Sequence, residues 1–172
     1  MDLDLRPLGE HDLGNLIALD SDPQVLRYIN GGNPPLEHVT RDHLLPRMLS
    51  WAGPGVGFFA LERGGEFLGW AHLRPDRLEP AWLEVGYRLH RRFWGQGIAT
   101  EATRRLIRQA FDLGYDVASA RTMHENLASR RVMEKAGMAL RGEFRFPATA
   151  FGDWVVPEVA GVLYAIERPS GP

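Results

Sequence analysis

The chain has 172 residues, a mass of 19.3 kDa and a formal net charge of -2, with 44% hydrophobic and 24% charged residues. These values suit one domain that buries roughly 70% of its unfolded surface, and they exclude a largely disordered chain. The absence of cysteine excludes a disulfide framework, a thiolate-held metal and thiol catalysis. The acidic balance disfavours binding along a nucleic-acid backbone. No apolar run reaches the ~18 residues of a membrane span, and the opening Met1-Asp2-Leu3-Asp4-Leu5-Arg6-Pro7 has no apolar signal core. A cytoplasmic protein of a single domain, residues 1–172, is therefore expected, without membrane or nucleic-acid partners.

Leu3, Leu5 and Leu8, stopped at Pro7, predict a short first strand. Asp12 is placed to cap a helix carrying Leu13, Leu16, Ile17 and Leu19. Asp22-Pro23 opens a second helical turn, and Asn30-Gly31-Gly32-Asn33-Pro34-Pro35 reads as a loop. Leu36–Trp51 has helical periodicity, interrupted at Pro46, so a kink or two pieces are expected. Phe58–Glu62 and Phe67–Leu73 predict two strands joined at Gly64-Gly65, a pair suited to a tight hairpin. In the strand Trp82–His90, Leu83, Val85, Tyr87 and Leu89 face one way, and Glu84, Gly86, Arg88 and His90 the other. Ile98–Leu113 is a helix closed by Gly114, Val117–Met123 a strand, and Asn126–Ala136 a helix closed by Gly137. Met138–Phe146 and Val159–Ile166 predict the last strands. This order describes a mixed α/β sheet in which one crossover places Trp82–His90 and Val117–Met123 parallel and adjacent.

The strongest local signal is Arg92-Phe93-Trp94-Gly95-Gln96-Gly97-Ile98-Ala99-Thr100, between a strand and a helix. Gly95 and Gly97 let the main chain approach a ligand. The first helical amides lack internal partners and form an anion site. Between Arg88 and Arg108 six arginines (88, 91, 92, 104, 105 and 108) stand against the single Glu101, a local excess of charge that suggests a bound polyanion. No Gly-Lys-Ser/Thr ending marks a P-loop. Thr100 replaces the third glycine of a dinucleotide fingerprint, and no acid ends the following strand.

Arg-x-x-Gly-x-Gly at this junction resembles the acyl-CoA signature of the GNAT N-acetyltransferases. His124-Glu125-Asn126-Leu127-Ala128-Ser129-Arg130-Arg131-Val132-Met133-Glu134-Lys135-Ala136-Gly137-Met138 is similar to that family's next motif, in wording nearest to the ribosomal-protein N-terminal acetyltransferase branch. The resemblance implies a mostly antiparallel sheet with one parallel pair splayed around the cofactor, flanked by about four helices. It also implies acetyl-CoA as cosubstrate, no metal and an amine acceptor, a protein N-terminus or a small molecule. The pantetheine arm would run along Arg88, Leu89 and His90. The pyrophosphate would sit on the amides of Gly95, Gln96, Gly97, Ile98, Ala99 and Thr100, with charge from Arg91 and Arg92. Asn126 would hold the arm near its thiol, though an Asn before a helix is also an ordinary N-cap.

Transfer to an amine needs a base, carbonyl polarisation and help for the thiolate. Glu84 is the first candidate base, with a plain sheet-face ion pair as its alternative; His124 is the second. The family's usual Tyr seven residues after the motif Asn is here Met133, so Ser129 is the candidate acid or hydrogen-bond donor. The aromatics Tyr28, Trp51, Trp70, Trp82, Trp94 and Trp154 read as packing, Phe93 and Trp94 as a wedge at the helix start, and Asp153-Trp154 as a loop that could border the acceptor site. For a polycationic acceptor Glu37, Asp42, Glu84, Glu143 and Asp153 are available carboxylates. Met133 also supports a second class, a non-catalytic acyl-CoA-binding sensor. The sequence leaves oligomeric state open, a homodimer included.

Overall fold

The computed structural model describes residues 2–146 and 159–169. Trp154 and Asp153 lie outside them. Seven strands form one sheet in the order β1-β2-β3-β4-β5-β7-β6: β1 Asp4–Pro7, β2 Gly57–Arg63, β3 Glu66–Pro75, β4 Leu83–Leu89, β5 Val117–Met123, β6 Ala139–Phe146 and β7 Val159–Glu167. All neighbours are antiparallel except β4 and β5, which pair in parallel at Leu83 with Ala118 and Glu84 with Ser119. Beyond these two positions the strands separate. The β2–β3 turn is the expected Gly64-Gly65, with φ of 56° and 81°, the left-handed pair a tight hairpin demands.

The two sheet faces bury different layers. Helix α5 (Ile98–Asp112) lays Ala102, Leu106 and Ala110 on Leu73, Leu83 and Val85. The opposite face is covered by α1 (Leu13–Asp20), α2 (Pro23–Asn30) and a segment spanning 37–49, with Leu16, Leu19 and Leu45 packed on Ala60, Phe67 and Trp70. Helix α6 (Leu127–Lys135) follows β5. Among the described residues no helix is long and apolar enough to cross a membrane.

One expectation holds and one changes. Segment 37–49 is in two pieces, as Pro46 implied: α3 (Glu37–Val39) and α4 (Leu45–Leu49) are joined by a π turn, Thr40–Leu44, closed by Leu45 N–H to Thr40 C=O. Pro46 has no N–H and would crowd the carbonyl four residues back; the wider turn ahead of it relieves both problems. Asp12 does not cap α1 with its side chain. It is buried, takes both Nη groups of Arg6 at 2.8 and 2.7 Å, and accepts from Gly9 N–H and Asn15 Nδ2. Burial alone would raise its pKa, but these donors hold it down to about 2.

Candidate active site

A groove of about 1150 Å³ opens where β4 and β5 part, walled by β4, the start of α5 and α6. At one end Gly95 and Gly97 have φ of 74° and 78°, and Gly97 stands at the N-cap of α5 with no side-chain cap. The first main-chain bond into the helix is Glu101 N–H to Gly97 C=O, so the amides of Ile98, Ala99 and Thr100 have no internal acceptor. The positive end of the helix dipole adds to this cradle. No neighbouring atom lies within 4 Å of a Cβ built on Gly95, so its surface is open to a ligand.

The charge excess around this loop is mostly internal. Arg88 pairs with Asp20, Arg91 with Asp22, Arg92 with Glu66 and Arg105 with Glu101. Four of the six arginines thus face acids, three of them contributed from elsewhere in the chain. What the loop leaves free to meet an anion is therefore the amides more than these four arginines. Gln96 turns back to the Arg92 carbonyl. The His90 ring packs edge-on to Phe67 and Phe93, outside the groove.

Along β4, His90 N–H bonds to Leu68 C=O. Alternation in the antiparallel ladder then turns the main-chain groups of Val85, Tyr87 and Leu89 toward the gap. That edge fits an extended amide-bearing arm, with Leu89 C=O also accepting from Trp94 Nε1 at 3.0 Å. On the facing wall Asn126 is the N-cap of α6, its Oδ1 accepting from Ser129 N–H at 3.2 Å. Its Nδ2 has no partner among the described residues. Tyr87 Oη lies 2.8 Å from Ser129 Oγ and 3.1 Å from the Ser129 carbonyl, and its single proton serves one or the other; when it goes to Oγ, the serine proton is left for a ligand. Burial pushes the Tyr87 phenol well above its ordinary range, so it stays protonated. Met133 is buried beside them.

On the other sheet face stands a charged cluster. Glu84 accepts from Arg74 Nη2 at 3.0 Å, and lies 3.6 Å from both His72 Nε2 and Arg121 Nη1. Burial opposes its ionisation, yet His72, Arg74 and Arg121 together hold its carboxyl below the usual range. Such a carboxylate is ionised and feebly basic. His72 is buried and held neutral, its pKa lowered chiefly by burial against a smaller upward pull from Glu84. Its ring stacks near Trp70 at 5.9 Å, and both Nδ1 and Nε2 are buried without a hydrogen-bond partner among the described residues. Gly86 makes room for it: a Cβ there would lie 2.4 Å from the imidazole.

Thus Arg88, Leu89, Gly95, Gly97, Ile98, Ala99, Thr100, Asn126, Ser129 and Glu84 all line the groove, while His90, Arg92 and Gln96 do not. His124 sits half-exposed beside Glu143, 3.4 Å away, also off the groove. Sequence reading missed His72 and Tyr87. Both lie on predicted strands, His72 in register opposite Gly86 and Tyr87 three residues after Glu84, but nothing in the spacing says what faces them. The aromatics are also more than packing: Tyr28, Trp70 and Trp94 line the groove, and Trp51 the adjoining cavity.

Residues 2–139 match the family model described as an acetyltransferase (GNAT) domain. The chain is 34% identical over 145 residues to the FsC-acetyl coenzyme A-N(2)-transacetylase of Aspergillus fumigatus, covering 79% of this chain and 62% of that longer protein. Among solved structures, RimL, the ribosomal L7/L12 alpha-N-protein acetyltransferase in complex with coenzyme A, superposes with a TM-score of 0.79 at 17% identity, covering 97% of this chain and 94% of its own. The aminoglycoside acetyltransferase AAC(6')-Ib in complex with coenzyme A and kanamycin gives a TM-score of 0.77 at 20% identity, covering 96% and 95%. At these identities the structures establish the fold. The family match over residues 2–139 assigns the chain to the GNAT acetyltransferases, an acetyl-coenzyme A-dependent family.

Proposed function

We propose that the protein moves an acetyl group from acetyl-CoA to a primary amine by direct attack in a ternary complex. The observation that carries this is the continuity of the groove. One cavity joins the amide cradle of α5, the Tyr87–Ser129 hydroxyls and the His72–Glu84 pair, so donor and acceptor ends meet without a covalent relay. The chain has no cysteine to carry an acyl group.

In this reading the amides of Ile98–Thr100 hold the pyrophosphate, and the gap edge of β4 with Asn126 Nδ2 orients the arm. His72 Nδ1 takes the amine proton as the new N–C bond forms and the C–S bond breaks. Glu84, 3.6 Å from Nε2, stabilises the imidazolium by its charge, so it acts through His72. Ser129 Oγ, oriented by Tyr87, donates a hydrogen bond to the departing thiolate, which takes its proton from solvent. Ser129 three residues after Asn126 supports a place beside the ribosomal-protein branch. The non-catalytic alternative loses its main support, because Tyr87 and Ser129 supply the hydroxyls that Met133 lacks.

The test is thiol release from acetyl-CoA with a panel of amines, followed by initial-rate patterns. Intersecting lines are expected; parallel lines would indicate an acyl-enzyme. Coenzyme A binding without thiol release from any amine would establish the sensor reading.

A further inference from the structure

Resting on the acetyltransferase reading, we propose that the acceptor is a small-molecule amine that itself carries an oxyanion, a carboxylate or a phosphate, seated by Arg47, Arg74 and Arg77. Beneath α1, α2 and segment 37–49 lies a second cavity of about 200 Å³, which shares His72, Arg74, Arg77 and Arg47 with the groove. It opens directly on the base assigned above.

Four arginines, Arg47, Arg74, Arg77 and Arg88, line this cavity against one carboxylate, Asp20. Asp20 is already taken: both its oxygens accept from Arg88 Nη1 at 2.7 and 2.8 Å. Arg74 gives Nη2 to Glu84, a carboxylate it shares with His72 and Arg121. Its Nη1 is buried without an acceptor among the described residues, on a side chain only 10% exposed. Trp51 lies under this guanidinium at 5.4 Å and fixes its plane. Arg47 and Arg77 have no ion pair among the described residues. Arg47, Arg74 and Arg77 line both cavities; burial first, then the charges of Arg74 and Arg47, pull the Arg77 guanidinium below its ordinary range against a smaller upward pull from Glu84.

Like charges held together in a partly dry pocket repel unless an anion joins them. Guanidinium forks match carboxylate and phosphate oxygens, and the match is charge-assisted. A polycationic acceptor would need the opposite lining. Of the carboxylates available for one, Glu37, Asp42 and Glu143 line neither cavity, and Asp42 is committed to Arg41. The volume lies below the usual range of small-molecule sites, so the anionic part is compact.

The experiment uses matched amines on the full chain: glycine against glycinamide, O-phosphoethanolamine against ethanolamine, with spermidine and a neutral amidated tripeptide alongside. Each is read twice, as kcat/KM for thiol release and as calorimetric binding to the enzyme with coenzyme A. The first pair tests carboxylate, the second phosphate. At least one anionic member is expected to exceed its neutral partner by about ten- to a hundredfold, the range of one charge-assisted hydrogen bond. The double variant Arg47→Gln/Arg77→Gln, with its melting temperature checked, should bring that ratio near one and leave coenzyme A affinity unchanged. Equal or better binding of neutral amines, spermidine or the tripeptide overturns the proposal. So does binding of no member, a ratio that survives in the variant, or a variant weakened for coenzyme A itself, which would assign the arginines to the donor end. Failure of the wild-type chain to bind coenzyme A sinks the acetyltransferase reading and this one with it.

Discussion

The two ends of the groove are built from different materials. At the α5 end the groups that face the groove belong to the main chain: three unpaired amides and two glycines at φ of 74° and 78°. At the other end it belongs to side chains from several elements: His72 and Arg74 from β3, Glu84 from β4, Arg121 from β5, Arg47 from α4. Glycine serves both ends for opposite reasons. Gly95 has open space around it and is needed for its backbone angle, whereas Gly86 has ordinary backbone and is needed for the room its missing Cβ leaves to His72. A main-chain site recognises what every acyl-CoA shares. A side-chain site can change its acceptor without disturbing the loop.

The largest expected effect comes from breaking the side-chain end. His72→Gln should lower kcat by about 10²–10⁴-fold, the usual worth of a positioned base, with coenzyme A affinity intact by calorimetry. Gly86→Ala should do much the same without removing any ionisable group, because its Cβ occupies the imidazole's place. The pH profile sharpens the assignment. His72 must be neutral to accept a proton, and burial lowers its pKa, so the acid limb of kcat should lie below the ordinary histidine pKa of ~6.5. Glu84 pulls that pKa upward, so Glu84→Gln should move the limb further down. It should also cost less rate than His72→Gln. If Glu84→Gln costs as much and the limb stays in place, Glu84 is itself the base.

The main-chain end should break in the complementary way. Gly97→Val puts a β-branched residue at φ of 78°, a conformation such residues avoid at a cost of ~1–3 kcal/mol, and sets its methyls where phosphate must approach. Loss of two charge-assisted amide contacts predicts at least about a hundredfold weaker coenzyme A binding. Circular dichroism should show the fold retained. An unchanged dissociation constant would remove the amide cradle from the assignment.

The geometry of that loop was legible in the sequence, because a glycine pair at a strand-to-helix junction is local information. The parallel pairing of β4 and β5 was legible too, since a strand-helix-strand unit admits little else. The acceptor end was not. His72 and Glu84 are twelve residues apart and meet only through the β3–β4 register, which sets His72 opposite Gly86 and Arg74 opposite Glu84. Asp20 and Arg88 pair across 68 positions. The arginine run misled in the same way, since its acids Asp20, Asp22 and Glu66 arrive from outside the run. Only folding reveals which charges are already matched.

The smallest effect expected lies where the two ends meet, at the thiolate. Tyr87 and Ser129 come from facing walls and share one hydrogen bond of 2.8 Å. A buried phenol with its pKa raised above the ordinary value will not surrender its proton to a thiolate whose own conjugate acid has a pKa near ~8.5. The pair therefore stabilises by hydrogen bonding, which is worth less than full proton transfer. Ser129→Ala should slow turnover by roughly ten- to a hundredfold, below the upper range of acid catalysis. Tyr87→Phe should cost a comparable or smaller factor, because it only orients the serine hydroxyl. If both belong to one chain of donors, the double variant is no worse than Ser129→Ala alone, the non-additive result expected of residues acting as a unit. Fully additive losses would show two independent contacts. Unchanged turnover in Ser129→Ala would show that the thiolate leaves without help. Introducing Met133→Tyr into the Ser129→Ala protein adds a sharper reading: recovery of rate places position 133 against the sulfur, and no recovery leaves the donor path to β4.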